Sequence, residues 1–456
     1  MNDRPSVKAE TQRNAPPVAI LGAGIAGLTA ANDLHRRGLP VQVFEAGKQI
    51  AGLGQSFKDE RGFTYDFGAH LITNRLAAAL GVSDRCFTVR HYDETVYLRG
   101  KTYNFPFGLL RSPRFVLGAA MARLTPKRGR IPESAADWYR SNYGRRMADE
   151  IAIPLVEAWS GVSADALAPS VIPPHVDRGT LNVLRLKLSG WASDRAVANG
   201  FSREKPESPH VWHVYPNGGV VELCHRLTLG LEDQIAVESR VEAIIVEDEQ
   251  VRRVRVNGIE HDVGAVVSTA PLHILPKLVQ GTTSLDYLAR FRYRPMTLVN
   301  LRFKGRPFLP AVTTWVPERQ HPFFRLSEVP QSVPWLAPED MTMVTADIGC
   351  ETDSEYYTMD DEAIGELCVD HLQQMFPSAR SRYDGCRVVR TPIGYPVYLR
   401  EYEKERHALE TGLPVKGLYS VGRNGEFAHI LMEDIYWRTL SRMRDLRGWY
   451  DTALRQ

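Results

Sequence analysis

The stretch from Pro17 to Glu45 constrains this chain more than any other part of it. Val18-Ala-Ile-Leu21 is an unbroken apolar run, and Gly22-Ala-Gly-Ile-Ala-Gly27 follows at once. An alanine- and leucine-containing segment with helical spacing then leads to a second apolar run, Val41-Gln-Val-Phe44, which ends in the acid Glu45. A strand that stops at closely spaced glycines and continues as helix and strand is a βαβ unit with a dinucleotide fingerprint. Gly22 permits the tight turn, Gly24 lets the backbone approach a pyrophosphate, and Gly27 lets the helix pack closely on the sheet. Ile25 and Ala26 open the helix, whose free N–H donors and positive dipole end face the phosphates. Glu45, about twenty residues further on with Ala46 beside it, is placed to accept from ribose hydroxyls.

The rest of the composition narrows the class. A chain of 456 residues has material for two or three domains. A hydrophobic share of 43% and a charged share of 24% are those of a soluble globular protein, and a net charge of +2 gives no global pull toward nucleic acid. Five cysteines, scattered and without a CxxC pair, argue against a disulfide framework or a metal site and fit a reducing cytoplasm. Residues 1–16 are polar and read as a disordered leader, and no window is long and apolar enough to span a bilayer.

Past Glu45 comes a glycine-punctuated loop, Gly52-Leu-Gly54-Gln55, and then Gly62-Phe-Thr-Tyr-Asp-Phe-Gly68-Ala69-His70. Small residues beside a lone histidine let something flat come close to the backbone. Together with the βαβ unit, these segments resemble the FAD-binding superfamily of flavin amine oxidases, protoporphyrinogen-oxidase-like proteins, carotenoid desaturases and UDP-galactopyranose mutase. The resemblance implies FAD as cofactor, with Gly52, Gly54 and Gln55 near the pyrophosphate, Gly68, Ala69 and His70 near the flavin, and the backbone of Val241 at the adenine. The family usually has two adjacent glycines and a basic residue where this chain has Gly52-Leu53-Gly54-Gln55.

Between Arg111 and Arg146 nine Lys/Arg stand against two Asp/Glu, which reads as a solvated face, an anionic-substrate site or a surface for anionic lipid. Ser134-Ala-Ala-Asp137 reads as a capping box opening a helix through Trp138, Tyr139, Tyr143 and Met147. This region resembles the helical cap of protoporphyrinogen-oxidase-like proteins. Pro295 to Phe308 alternates as a strand of an antiparallel sheet over the flavin. Flavin amine oxidases carry a lysine in that strand; Asn300 takes its place here, which weighs against amine oxidation. Near the end, Gly417-Leu-Tyr-Ser-Val-Gly422-Arg423-Asn-Gly is followed by a helix start at Met432. This tail resembles UDP-galactopyranose mutase and implies Gly422, Arg423 and Met432 at the flavin.

The expected fold is α/β: a Rossmann-like FAD-binding domain of the GR2 type with an inserted α+β substrate domain, an antiparallel sheet plus helical cap. Residues 17–75, 208–284 and 386–456 are expected to build the first, and 76–207 and 285–385 the second. The leading functional expectation is an FAD-dependent oxidoreductase of the protoporphyrinogen-oxidase-like group that oxidises a small molecule by hydride transfer to flavin. The alternatives are a redox-neutral nucleotide-sugar mutase and a non-catalytic FAD-bearing protein. The catalytic candidates are His70 and Arg423, with Tyr398, Asn300 and His429 behind them. The partner is a small-molecule substrate, anionic or nucleotide-linked; no nucleic acid, metal or integral membrane segment is expected.

Overall fold

In the computed structural model the described residues are 16–68, 70–105, 107–124, 131–172 and 180–453. Ala69 and residues 1–15 of the expected leader lie outside them. The strand Val18–Leu21 is buried along its length and pairs in parallel with Val41–Phe44 on one side and Ala265–Ser268 on the other. Among the described residues it is the centre of five parallel strands, in the order Ile235–Ala236, Val41–Phe44, Val18–Leu21, Ala265–Ser268, Leu418–Ser420. A parallel sheet must be covered on both faces, and alternation along the central strand shows how. Val18 and Ile20 join a core with the helix Ile25–Arg36 and Met443 and Leu446 of the final helix, Met432–Ala453. Ala19 and Leu21 point the other way, into a core with Ile244, Val246, Val254 and Val256 of a four-stranded sheet. Three distant parts of the chain thus meet at one sheet edge, where the glycine turn lies.

The second sheet has seven strands among the described residues, in the order Tyr383–Pro396, Tyr293–Lys304, Met341–Gly349, Arg325–Ser327, Thr313–Trp315, Glu94–Leu98, Lys101–Asn104. One face takes the helix Asp361–Met375, whose Ile364, Cys368, Val369 and Leu372 pack with Val299, Leu301 and Phe303. On the other face Met296 and Leu298 pack with Phe67, Trp159, Trp315 and Tyr395. The sheet is mixed rather than purely antiparallel, because Thr313–Trp315 runs parallel to Glu94–Leu98. Those two strands come from separate insertions, so no hairpin imposes the antiparallel sense on them. The boundary expected at 386 falls inside Tyr383–Pro396, which pairs along Tyr293–Lys304 and belongs to this sheet.

In the helical cap Ser134 Oγ accepts from the amide of Asp137 at 3.1 Å and opens the helix Ala135–Tyr143. The helix does not run on to Met147 as expected. Gly144, at φ +77°, ends it, and Met147 sits on a separate turn before Ile153–Ser160.

One buried acid sets the exit of the short strand Arg325–Ser327. Glu328 is fully buried and accepts from the amides of Phe308 and Leu309, from Thr342 Oγ1 and from Gln331 Nε2, at 2.6–2.9 Å. Glu328→Ala leaves these donors without an acceptor and is expected to cost about 2–4 kcal/mol. A clear fall in the thermal unfolding midpoint checks this, and an unchanged midpoint contradicts it.

Candidate functional site

The site begins as a groove whose walls lack side chains. Gly22 has φ +98°, and a Cβ there would lie 2.2 Å from Thr269 Oγ1, which itself donates to the Leu21 carbonyl at 2.8 Å. A Cβ on Gly27 would lie 1.9 Å from the Gly22 carbonyl oxygen, so this turn admits only glycine. Around Gly24 there is room, the nearest atom to a Cβ being the Ala51 carbonyl oxygen at 3.8 Å. Gly52 faces it, a Cβ there lying 3.7 Å from the Gly24 Cα, in a loop anchored by the Ala51 amide donating to the Ala23 carbonyl. The helix Ile25–Arg36 has no side-chain cap at Gly24 and no acid in its first turn, so its positive end is open.

Glu45 lies at one end of this groove. Its carboxylate accepts from the amides of Ala23 and Gly47, each at 2.8 Å, with Ala46 exposed beside it. Glu238 and Ser239 donate to the carbonyls of Gly47 and Glu45, so the segment entering the strand at Val241 borders the same end. Gln55 donates to Gln49 Oε1 at 2.8 Å, and a Cβ on Gly54 would lie 3.7 Å from Cys224 Sγ. From the opposite sheet edge Gly422, at φ +84°, comes so close that a Cβ there would lie 2.8 Å from the Ala26 Cβ. An open helix end, a groove walled by glycine backbone and a fixed carboxylate at its end are a donor set that fits an elongated diphosphate cofactor such as FAD.

The other end gathers buried charge. His70 is half-buried, and its Nδ1 has no hydrogen-bond partner among the described residues. Burial, with the guanidiniums of Arg423 and Arg325 nearby, pushes its pKa down to about 3. Arg325 donates from Nε to the fully buried Asp347 at 2.8 Å and lies 5.7 Å from the Trp315 ring. Burial opposes its charge, yet Asp347 holds the guanidinium above its ordinary range. Arg423 has no such neutraliser. It donates from Nε to the Ile430 carbonyl at 3.0 Å and lies 5.6 Å from the Tyr395 ring, and no carboxylate among the described residues pairs with it. Burial pushes it down. Tyr395, Trp159 and His429 pack edge to face at 5.2–5.4 Å and wall this region.

The fold therefore joins His70, Gly422 and Arg423, and starts the final helix at Met432. It does not bring Asn300 to them. Asn300 is buried in the sheet, its Oδ1 accepting from Thr345 and its Nδ2 donating to the Arg387 carbonyl, so its amide is satisfied by strand neighbours. Tyr398 is a core residue, stacked on Phe427 at 5.6 Å under Arg406, with its hydroxyl accepting from the His429 amide at 2.7 Å. It positions the wall rather than reaching into the site. Sequence reasoning missed Arg325, Asp347, Tyr395 and Trp159. A signal was present for two of them: Arg325 and Asp347 are single charges inside otherwise apolar strands, Arg325–Ser327 with its leading phenylalanines and Met341–Gly349.

A family model described as flavin containing amine oxidoreductase matches residues 25–434. The chain is 22% identical to protoporphyrinogen oxidase 2 of Arabidopsis thaliana, over 86% of each chain. A crystal structure of reduced UDP-galactopyranose mutase superposes with a TM-score of 0.76 at 18% identity, covering 95% of this chain and 96% of that one. Cyclohexylamine oxidase from Brevibacterium oxydans superposes at 0.69 and 15% identity, covering 95% of this chain and all of the other. These structural likenesses are of fold.

The low pKa of His70 has a definite sign. Between about 3 and the ordinary value of 6.5 an unfolded chain takes up a proton that the folded site refuses. The contribution to stability is complete above 6.5 and is lost as pH falls toward 3. The ring of His70 is expected to stay neutral, with no NMR shift change between about pH 5 and 8. A titration midpoint near 6.5 contradicts this.

Proposed function

The chain belongs to the flavin containing amine oxidoreductase family and is an FAD-dependent oxidoreductase, and from that premise we propose that it is of the protoporphyrinogen-oxidase-like group and oxidises a small molecule bearing an anionic group. The observation that carries the anionic group is Arg423, a half-buried guanidinium, desolvated by its surroundings and without a carboxylate partner among the described residues. A buried charge is costly until it is paired, and the substrate supplies the pair. FAD, when bound, supplies the acceptor for a hydride taken from the substrate.

The chain's own residues do the rest. Gly22, Gly24, Ile25, Ala26 and Gly27 would hold the diphosphate on backbone donors, with Glu45 for the ribose and the backbone of Val241 for the adenine. Gly422 and Met432 bring the last strand and helix against the other end. Arg423 fixes the substrate anion, and Tyr395 and Trp159 exclude water around it. His70, held neutral by burial and by the two guanidiniums, offers Nδ1 as a hydrogen-bonding atom that needs no proton change near neutral pH. Asn300 is engaged inside the sheet, so no side chain at that position is available to activate water, which favours a substrate other than an amine.

A second reading, a redox-neutral nucleotide-sugar mutase, is favoured by the pair of guanidiniums, Arg325 and Arg423, that flank His70 and suit a diphosphate. Anaerobic titration separates the two. The proposal expects the flavin absorbance to bleach with an anionic reduced donor and to recover in air. No bleaching by any donor, with a nucleotide sugar converted only after dithionite reduction, would replace it with the mutase. A further outcome follows from the unpaired charge: Arg423→Met is expected to abolish turnover while unfolding stability is unchanged or rises by about 1–3 kcal/mol. Retained turnover would remove Arg423 from the site.

A further inference from the structure

Two histidines away from the candidate site face each other. His321 lies in the loop 316–324 that joins the strands Thr313–Trp315 and Arg325–Ser327, and His371 lies on the helix Asp361–Met375. Their Nδ1 atoms are 3.3 Å apart, and their ring planes stand at 81°. The two residues are fifty apart in the chain, so no ligand spacing announces them. His321 is buried, stacked on Phe323 at 5.8 Å with the Tyr97 ring edge-on at 6.2 Å, whereas His371 is half-buried.

An imidazole binds a metal ion in its neutral form, through a free ring nitrogen. Burial lowers the pKa of both rings; His371 adds to this at His321 while Glu318 opposes it, and Asp370 opposes it at His371. Both rings are therefore neutral near pH 7. The Glu318 carboxylate accepts from the Arg99 amide at 3.0 Å and faces His321 Nε2 at 3.9 Å. It favours the proton on Nε2 and leaves the Nδ1 lone pair free, the arrangement of a carboxylate behind a metal-bound histidine. Two nitrogens 3.3 Å apart, each about 2.0–2.1 Å from one ion, subtend about 105–110° at it, close to the tetrahedral angle that zinc adopts.

The geometry points to a site for a divalent transition metal, zinc above all, held between His321 Nδ1 and His371 Nδ1. In the metal-free pair one Nδ1 donates to the other; the ion takes both lone pairs, so His371 moves its proton to Nε2 and none is lost overall. No group of three or more His, Cys, Asp or Glu among the described residues is placed to hold a metal ion, so water completes the shell and binding is weaker than at a closed four-ligand site. Val316 and Phe323 of the loop pack with Cys368 and Leu372 of the helix, while Trp315 packs on the opposite face of the sheet, toward the candidate site. Zinc thus fastens from behind the hairpin that presents Trp315 and Arg325, whatever the substrate is.

Calorimetric titration of the FAD-loaded enzyme with zinc chloride tests this. The expected result is one site with a dissociation constant on the order of 10 μM and a thermal unfolding midpoint that rises with zinc. His321→Gln and His371→Gln should each weaken the site by about tenfold or more and remove the rise. His225→Gln, at an exposed histidine of the helix Val221–Thr228, should bind like the parent. In the parent itself zinc should shift the imidazole NMR signals of His321 and His371 and of no other histidine. Absence of binding, equal binding by both variants, or shifts confined to other histidines overturns the inference.

Discussion

The approach of Gly422 to Ala26 is the contact on which the rest of the site depends. Two segments nearly four hundred residues apart in sequence meet there, so closely that a Cβ on Gly422 would lie 2.8 Å from the Ala26 Cβ. That meeting is possible because the first strand is the centre of the parallel sheet and the last strand is its edge, both fixed in register through Ala265–Ser268. Close approach needs glycine on one side and a small residue on the other, and it turns two local turns into one continuous groove. Gly22 and Thr269 repeat the arrangement one strand over.

Charge is distributed over this frame by the same logic of burial. Arg325, its side chain 20% exposed, is tolerated there because the fully buried Asp347 neutralises it. Arg423 has only a carbonyl and an aromatic face as partners among the described residues. His70 sits by both and stays neutral, since a third cation would raise the electrostatic cost further. The region thus holds one paired and one unpaired guanidinium beside a neutral imidazole, walled by aromatic rings, and the proposed anionic substrate rests on that arrangement.

What the sequence discloses follows from where the physical requirement is local. Gly22, Gly24 and Gly27 answer demands of their own turn, and Gly422 with Arg423 answers those of another, so residue type and spacing carry them. Ser134 as a helix cap is legible for the same reason. Asn300 misleads because strand alternation gives a face but not the partners across it, and those partners, Thr345 and Arg387, lie on two other strands. Tyr398 misleads because nothing nearby in sequence announces Phe427 and Arg406 on its two faces. Arg325, Asp347, Tyr395 and Trp159 reach the site from four separate elements, and only the folded sheet brings them together. Gly144 was visible in the sequence, but a left-handed turn at a glycine and a tolerated helical glycine look alike until the backbone is seen.

The measurement that tests this account most directly is the FAD dissociation constant of Gly422→Ala, read from the fluorescence of released flavin. The added methyl meets Ala26 at a backbone φ of +84°, so the groove must open. The account predicts a loss of FAD affinity of about tenfold or more with the rest of the fold intact. Affinity equal to that of the parent would mean that the meeting of the two ends does not hold the cofactor, and the site would have to be sought elsewhere.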